Sequence, residues 1–554
     1  MTIRPDRVFV GVAWPYANGS LHAGHMAGAY LPADIFARFA RMTGASVLFV
    51  SGSDCHGAPI TFRADETGDS PRAVVTMYHE EFLRNWDEAR ISFDLFTTTM
   101  TDMHIAVVQD EFELLRNKGL LVEQPATALY DEVAGRFLPD RYVVGECAHC
   151  GFEGTRGDQC SSCGRPLDAD DILNPTSKAT GDPVVRRDTR HFFLDLPQLE
   201  RRLKAWVAGS RKHWRPHVAG ETQKFLDEGL RARAITRNLD WGVPIPVEGW
   251  DDRRIYVWFE AVTGYLSASM EWAQGSGDAE AWRQWWDDPD ARQYYFLGKD
   301  NIPFHTLIWP AILMGRGDVV QLPYNVPANC FLQFSGEKAS KSEGIGASLK
   351  DLFHEYESDA VRFYLTAIMP EHDDASFDHD ELEARVNSEL IGTWGNLVSR
   401  TSALVVSRLS GIVPEVEIDE EVREACEAAV RDVTEHLWDV ELRKALRRAL
   451  ECAQFGNGYL NRHKPWDAAA TEADVGNTLG NALFVVNTVK TLMAPFVPDS
   501  SAELHRRLGY ADSLENEPMA AAAVPPGRHL EKLPALYKKL AAGALTGGTG
   551  AVSY

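Results

Sequence analysis

Positive charge is scarce in this 554-residue chain: 56 Lys and Arg stand against 80 Asp and Glu, a formal charge of −24 at pH 7. A field of that sign repels phosphate on average, which excludes a protein that coats nucleic acid or anionic membrane indiscriminately but leaves room for local basic tracks. Long apolar runs are missing as well. The longest stretch free of Lys, Arg, Asp and Glu, 8–33, contains Pro15, Asn18, His22, His25 and Pro32, which spoil a membrane span. No basic segment followed by an apolar core and a small-residue cleavage site opens the chain, so export is not expected and a cytoplasmic location is the default. Neither G-x-x-x-x-G-K-[ST] nor G-x-G-x-x-G occurs, and there is no solenoid-type repeat. Cysteine is sparse too: Cys55, Cys330, Cys426 and Cys452 are scattered and expected to be reduced, while the other four are clustered.

What is present divides along the chain. Single cores rarely exceed about 300 residues, so several domains are expected. Residues 7–13 read as a strand ending in WPYANGS, followed by a helical pattern from Leu21 to about Met42 with Ser20 as its expected N-cap. Residues 46–51 read as a second strand ending in GSDCHG, giving the β-loop-α-β opening of a Rossmann-like, doubly wound parallel sheet, an α/β fold with ligands at the carboxyl ends of its strands. From about 121 to 230 helical periodicity fades and Pro, Gly and Cys predict a compact insert. The segments 255–266 and 293–305 then read as later strands. Beyond about 386, Leu442, Ala445, Leu446, Ala449, Leu450 and Ala453 form an apolar stripe, the mark of a helical bundle. The biased tail from about 517 is expected to be partly loose.

Three motifs carry chemistry. Cys147-x2-Cys150-x9-Cys160-x2-Cys163 suits a tetrahedral zinc ion closed on four sides, one structural ion per chain; two disulfides or four unrelated thiols are the alternatives. A closed site has no position for water, which argues against a zinc-dependent hydrolase. His22-Ala23-Gly24-His25 lies at a helix N-terminus, where unpaired N–H groups and two imidazoles suit phosphate, although a metal pair or a surface coincidence is equally compatible with those residues alone. Lys338-Ala339-Ser340-Lys341-Ser342, near Gly336, Gly344 and Gly346, puts two cations on a hydroxyl-bearing loop able to neutralise departing pyrophosphate; a solvated basic turn is the plainer reading.

HAGH and KASKS resemble the two signatures of class I aminoacyl-tRNA synthetases, usually H-I-G-H and K-M-S-K-S. PYANGSLHAGH, GSDCHG, the cysteine insert followed by ILNPTSKATGDPVVRRDTRHFFLDL, YVWFEAVTGY, GKDNIPFHTLIWP and NRHKPW narrow the likeness to the methionyl-tRNA synthetase family, over about residues 7–500. The resemblance implies that His22, His25, Lys338 and Lys341 are catalytic and that they bind ATP with Gly24, Asp300 and Ser340, Asp300 reaching the ribose. It implies a methionine site of Ala13, Trp14, Tyr16, Asp54, Trp258, Ala261, Tyr265 and His305, with Asp54 receiving the ammonium. It also implies anticodon contacts by Asn396, Arg400 and Trp466. The implied partners are ATP with Mg²⁺, L-methionine and methionine tRNA, initiator and elongator. Read without the resemblance, Trp258 and Tyr265 are as well an aromatic core pair, and Trp466 a core residue after Pro465.

On this reading 1–120 and 231–330 are the two halves of the Rossmann domain, 121–230 the inserted connective domain with the zinc knuckle, 331–385 a linker carrying KASKS, 386–516 the helical anticodon domain and 517–554 the tail. A monomer is expected, since 554 residues leave no room for the appended dimerisation domain of longer relatives. Basic tracks at 201–237, with ten Lys/Arg against three Asp/Glu, and at 441–464, with six against two, suit the two ends of a tRNA. Three positions depart from the family pattern: Val262 stands for a usual proline, Glu260 for aspartate and Ala339 for a large apolar residue. The alternatives are a sibling class I synthetase, against which the short chain and the position of the knuckle argue, and a non-catalytic tRNA-binding paralogue, which would be expected to lose signature residues that are all here.

Overall fold

The computed structural model describes residues 4–133, 135–138, 142–156, 160, 162–163, 165, 167, 169–178, 180–317, 321–334, 337–338 and 347–541; the side chains of residues 136, 156, 169, 337 and 338 are not among what is described. The chain forms two compact units, one of Met1–Ser20, Leu48–Arg84 and Phe93–Ala328, the other of Leu21–Val47, Asn85–Ser92 and Asn329–Tyr554.

The first unit is built on a five-stranded sheet in the order Ala328–Asn329, Arg292–Gly298, Arg7–Val12, Ser46–Ser53 and Leu95–Thr98. Arg7–Val12 pairs in parallel with Arg292–Gly298, and Ser46–Ser53 with Leu95–Thr98. Val8, Phe9, Val10 and Val12 are fully buried, as β-branched and aromatic residues are in a strand covered on both faces. The first strand lies between the next strand in sequence and the distant Arg292–Gly298, so the strand order reverses beside it, and ligands of such sheets bind in the crevice beyond the carboxyl ends of the strands, here after Val12, Ser53 and Gly298.

The segment 255–266 differs from its strand reading: Val257–Ser276 is a helix, entered from extended Tyr256 and ended by Gly277 at φ +90°. It is buried nearly all round, and a continuous apolar run lacks the polar stripe that tells helix from strand; only its 20-residue length decides. The 293–305 segment is a strand only to Gly298, then turns through Lys299–Asn301 into a widened helical turn at Phe304–Ile308. The insert also departs from expectation. Besides three strands of a four-stranded sheet, whose fourth is Arg233–Ala234, and the small three-stranded sheet Val143–Cys147, Glu153–Arg156 and Ile172–Ser177, the span 121–230 contains the helices Leu196–Ser210 and Pro216–Glu228, the first burying Leu196, Leu199, Leu203 and Val207 at helical spacing.

In the second unit, 23–42 is helical throughout, widened over Met26–Tyr30. Ser20 is not its cap, because the helix begins two residues later: His22 is the N-cap, and the Ser20 hydroxyl, in the first unit, donates to Glu81 instead. The bundle is made by Asn396–Leu409, Glu420–Trp438, Leu442–His463, Glu472–Met493 and Pro498–Arg507. The stripe of Leu442–His463 is buried apart from a half-buried Leu450. The tail holds more firmly than its composition suggests: Met519, Val524, Leu530, Leu533 and Tyr537 are buried, and residues 542–554 lie outside the described set. No helix among the described residues is long and apolar enough to cross a membrane.

Candidate functional site

At the crevice of the first unit the chain leaves the first strand through Ala13, whose N–H donates to Phe296 O at 3.0 Å. Tyr16 forms a parallel bridge with Asp54, fixed by Asp54 N to Pro15 O and Ala17 N to Asp54 O, both 2.8 Å. Asp54, 3% exposed, thus sits beside the aromatic turn. The Tyr16 ring meets Trp258 edge-on at 6.4 Å, and Trp258 stacks on Phe304 at 3.9 Å. Trp14 packs where only glycine fits: a Cβ on Gly52 or Gly264 would come within 2.4 or 2.9 Å of its ring.

Deeper in, Tyr265 is buried with its hydroxyl 2.8 Å from His305 Nε2, while His305 Nδ1 lies 3.0 Å from Asn301 O. A carbonyl only accepts, so Nδ1 carries the imidazole proton and Nε2 accepts from Tyr265. Burial pushes His305 down to about 4, the Asn301 bond opposing only in part, so the imidazole is neutral at pH 7. Ala261 is half-buried, whereas Val262 is 2% exposed and belongs to the core cluster. Of the eight residues the resemblance implies for methionine, Tyr16, Asp54 and Trp258 are joined by one set of contacts and Tyr265 and His305 by another, with Ala13 and Trp14 on the turn before Tyr16 and Ala261 one turn of helix from Tyr265. Phe304 and Asn301 were missed, though both lie within GKDNIPFH. Asp300 is on the short turn Lys299–Asn301 of the same unit and accepts from Asn301 Nδ2 at 3.2 Å.

The histidine turn lies in the second unit. His22 Nδ1 accepts from Gly24 N at 3.1 Å and His25 Nδ1 accepts from His22 N at 3.3 Å, a reciprocal capping box built from imidazoles, with the rings 3.8 Å apart. With both Nδ1 atoms accepting, the neutral rings carry their protons on Nε2, as donors. Ala23 N donates to Ala347 O at 2.9 Å, Leu349 N to Leu21 O at 3.0 Å, and His22 bridges Ser348. On its other flank the lysine loop starts from a hairpin in which Gln333 pairs with Lys338, and Phe334 lies 6.4 Å from the His22 ring. The described chain on either side of the KASKS segment, at Phe334 and at Ala347 to Leu349, therefore lies against the histidine turn. Ser340 and Lys341 lie outside the described residues, as does the side chain of Lys338.

The four clustered thiols offer sulfurs that all lie within 4.8 Å of one another, with Cys150 and Cys160 3.6 Å apart and Cys147 and Cys160 fully buried. No disulfide joins the described cysteines. Burial raises the Cys160 thiol, but N–H groups of Cys163 and Ser162, with Thr155 and Cys150, bring it down to about 6; burial and the neighbouring sulfurs push Cys163 up to about 12. A four-thiolate set at tetrahedral reach suits a soft divalent ion.

In the bundle, Asn396 and Arg400 project from one face of Asn396–Leu409. Asn396 Nδ2 donates to Asn457 Oδ1 and Arg400 Nη2 to Asn461 Oδ1, both at 2.9 Å. Arg400 lies over the Trp466 ring at 5.1 Å, and Trp466 is 43% exposed. Asn457 and Asn461 escaped the sequence reading; their i,i+4 spacing matches that of the two residues they hold.

A family model described as "tRNA synthetases class I (M)" matches residues 8–402, and one described as "Anticodon binding domain of methionyl tRNA ligase" matches residues 413–546. Similar proteins include the methionine–tRNA ligase of Roseiflexus sp. (strain RS-1), 49% identical over 527 residues that cover 93% of this chain and 89% of that one. The methionine–tRNA ligase of Dehalococcoides mccartyi (strain CBDB1) is 44% identical over 540 residues, 97% of each chain. Mycobacterium tuberculosis methionyl-tRNA synthetase in complex with methionyl-adenylate aligns with a TM-score of 0.78 at 26% identity, over 96% of this chain and 99% of that one. With one family model spanning the catalytic region and a second the bundle, this chain belongs to the methionyl-tRNA synthetase family of class I aminoacyl-tRNA synthetases.

Proposed function

We propose that this chain joins L-methionine to methionine tRNA in two steps, ATP-dependent formation of methionyl-adenylate with release of pyrophosphate, then transfer of methionine to the terminal ribose of the tRNA. The observation that carries the residue assignment is Tyr16, whose backbone bridges Asp54 while its ring meets Trp258. A carboxylate for the ammonium and an uncharged aromatic wall for the thioether then flank one residue, Tyr16. Trp14, Ala13, Ala261, Tyr265 and neutral His305 complete the wall. A one-methylene difference is worth only about 1–3 kcal/mol in such a pocket, so homocysteine and longer homologues are rejected incompletely.

His22 and His25, donating from Nε2, with Gly24, Asp300, Lys338, Ser340 and Lys341, hold ATP. The methionine carboxylate attacks the α-phosphorus, and the charge gathering on the departing pyrophosphate is met by the imidazole N–H groups and the two lysines. Side chains do no covalent work; they position and stabilise. Mg²⁺ would accompany ATP, supplying charge neutralisation at the phosphates. Cys147, Cys150, Cys160 and Cys163 would hold one zinc ion that stiffens the small sheet around 143–177. Asn396, Arg400 and Trp466 read an unstacked anticodon, Trp466 by stacking and the other two at base edges. The protein acts as a cytoplasmic monomer, with the connective insert, the KASKS linker and the bundle in the order laid out from the sequence.

Methionine-dependent exchange of radiolabelled pyrophosphate into ATP is the test. Exchange with methionine, weaker exchange with homocysteine and none with leucine is expected; no exchange with methionine overturns the reading.

A further inference from the structure

We propose that Glu260 is a positioning residue for methionine binding, holding Trp14 and the Asp54 turn in place through His104 and His56; this rests on the methionine-pocket reading above. Glu260 is 0% exposed, on the first turn of the Val257–Ser276 helix between Trp258 and Ala261. His56 Nδ1 lies 2.5 Å from its Oε1, and His104 Nε2 lies 3.4 Å from the same oxygen. His56 and His104 are 5% and 0% exposed. A carboxylate buried this completely without cationic or hydrogen-bonding partners becomes protonated. Burial does raise this one, but the two histidines outweigh it and hold Glu260 at about 2, so it is an anion wherever the enzyme works.

The two histidines lead to different parts of the pocket. His56 follows Asp54 by two residues, and the turn between them is pinned from the same side by Trp241 Nε1 on Cys55 O at 2.8 Å. His104 sits on the helix Asp102–Asn117, its Nδ1 2.8 Å from Ser267 Oγ, and its ring lies 5.9 Å from that of Trp14. Ser267, Gly264 and Glu260 follow one another at i,i+3 and i,i+4 on one face of the Val257–Ser276 helix. Gly264 is where the Trp14 ring is seated. One carboxylate therefore fixes the turn that carries the ammonium ligand and the support of an aromatic wall.

A network kept only for stability would be fully satisfied. Glu260 Oε2 and Trp14 Nε1 are buried atoms without a hydrogen-bond partner among the described residues, and His104 Nε2 meets Glu260 Oε1 only as a 3.4 Å ion-pair contact outside hydrogen-bond geometry. Such groups cost stability, and an active region tolerates the cost where placement matters more.

The test is pyrophosphate-exchange kinetics of the full-length enzyme with Glu260→Gln, Glu260→Asp, His56→Gln and Asp54→Asn. Glu260→Gln keeps the shape and removes the charge. It is expected to raise the methionine KM at least tenfold with the ATP KM within twofold, while Glu260→Asp stays within about threefold of the parent. His56→Gln should reproduce the methionine defect, and the double variant should be no worse than the more impaired single. An unchanged methionine KM in Glu260→Gln alongside a raised one in Asp54→Asn overturns the positioning role and leaves the pocket standing. An unchanged value in both overturns the pocket reading itself. Equal damage to both substrates, with no rescue by aspartate, marks Glu260 as merely structural and also overturns the proposal. If Glu260→Gln does not unfold cooperatively, His56→Gln decides on the same readout.

Discussion

Arg362 and Asp34 form an ion pair closed to water, 2.7 Å between partners with both side chains 0% exposed. Asp34 belongs to the helix that follows the histidine turn, and Arg362 to the helix Ser358–Ala367. The guanidinium also donates to the carbonyls of Ala89, Pro495 and Phe496, and Asp34 receives Arg38 and the amide and hydroxyl of Ser92. Removing one partner of so complete a pair strands the other charge in the core. Asp34→Ala is expected to lose about 3–5 kcal/mol in urea unfolding. A loss below about 1 kcal/mol would show that water reaches Arg362 after all.

Acid should unfold the protein in two stages. His305, held by burial at about 4, and His191, held by burial with Arg237 and Arg253 at about 3, resist protonation in the folded state, whereas an unfolded histidine takes a proton near 6.5. From pH 6.5 down to about 4 the unfolded chain binds more protons, so stability falls. Asp34 acts lower: burial raises it, but Arg38, Arg362 and Ser92 hold it at about 2, so its contribution is complete above 3.8 and is lost as the pH falls from there to about 2. The urea midpoint should drop between pH 7.5 and 5, and by less in His305→Gln. An equal drop in that variant would remove His305 from the account.

His22 caps a helix and offers an Nε2 donor, and the two roles separate by substitution. Asparagine is a strong N-cap, so His22→Asn keeps an acceptor for Gly24 N but lacks the Nε2–H. The variant should melt within a few degrees of the parent and lose about 10²–10³-fold in exchange kcat, the usual loss for one preorganised donor. Near-parental kcat would assign the imidazole to capping alone.

Metal content tests the cysteine cluster. Purified protein should carry one zinc per chain, and Cys160→Ser, which removes a fully buried ligand, should carry well under half of that. A closed four-sulfur site supplies no reacting water, so exchange with methionine should persist in the variant while proteolysis around 143–177 accelerates. A full zinc complement in Cys160→Ser would refute the ligand set.

The parts of the fold most legible in the sequence were those with one-sided patterns. Leu442 to Ala453 gave away a bundle helix because its buried stripe alternates with Arg and Lys, and the first strand because turn residues end it. The Val257–Ser276 helix, which carries Trp258, Ala261 and Tyr265, reads as a strand in the sequence because burial on nearly all sides erases its periodicity. Hydroxyls are the common cap acceptors, which favours Ser20 in the sequence, but the His22 imidazole takes the role. Candidate site residues inside contiguous motifs are visible in the sequence. Those that act from a distant element, such as Asn461 on Arg400 or His104 on Glu260, have no local signature and emerge only from the folded chain.

Asn461 gives the anticodon reading its sharpest test. Arg400 spans two supports, the Asn461 carbonyl oxygen at 2.9 Å and the Trp466 ring at 5.1 Å. Trp466→Ala removes both a stacking platform and one support of Arg400. Stacking of a base is worth roughly 1–3 kcal/mol, so charging efficiency with methionine tRNA should fall about 5- to 150-fold. Asn461→Ala leaves the platform and frees only the guanidinium, so its loss should be smaller, about fivefold, and should nearly vanish in an Arg400→Ala background because the two residues share one interaction. Neither substitution should alter methionine-dependent pyrophosphate exchange, which needs no tRNA. Full charging by Trp466→Ala would remove this face from tRNA recognition, and additive losses for Asn461 and Arg400 would show that the asparagine contacts tRNA independently.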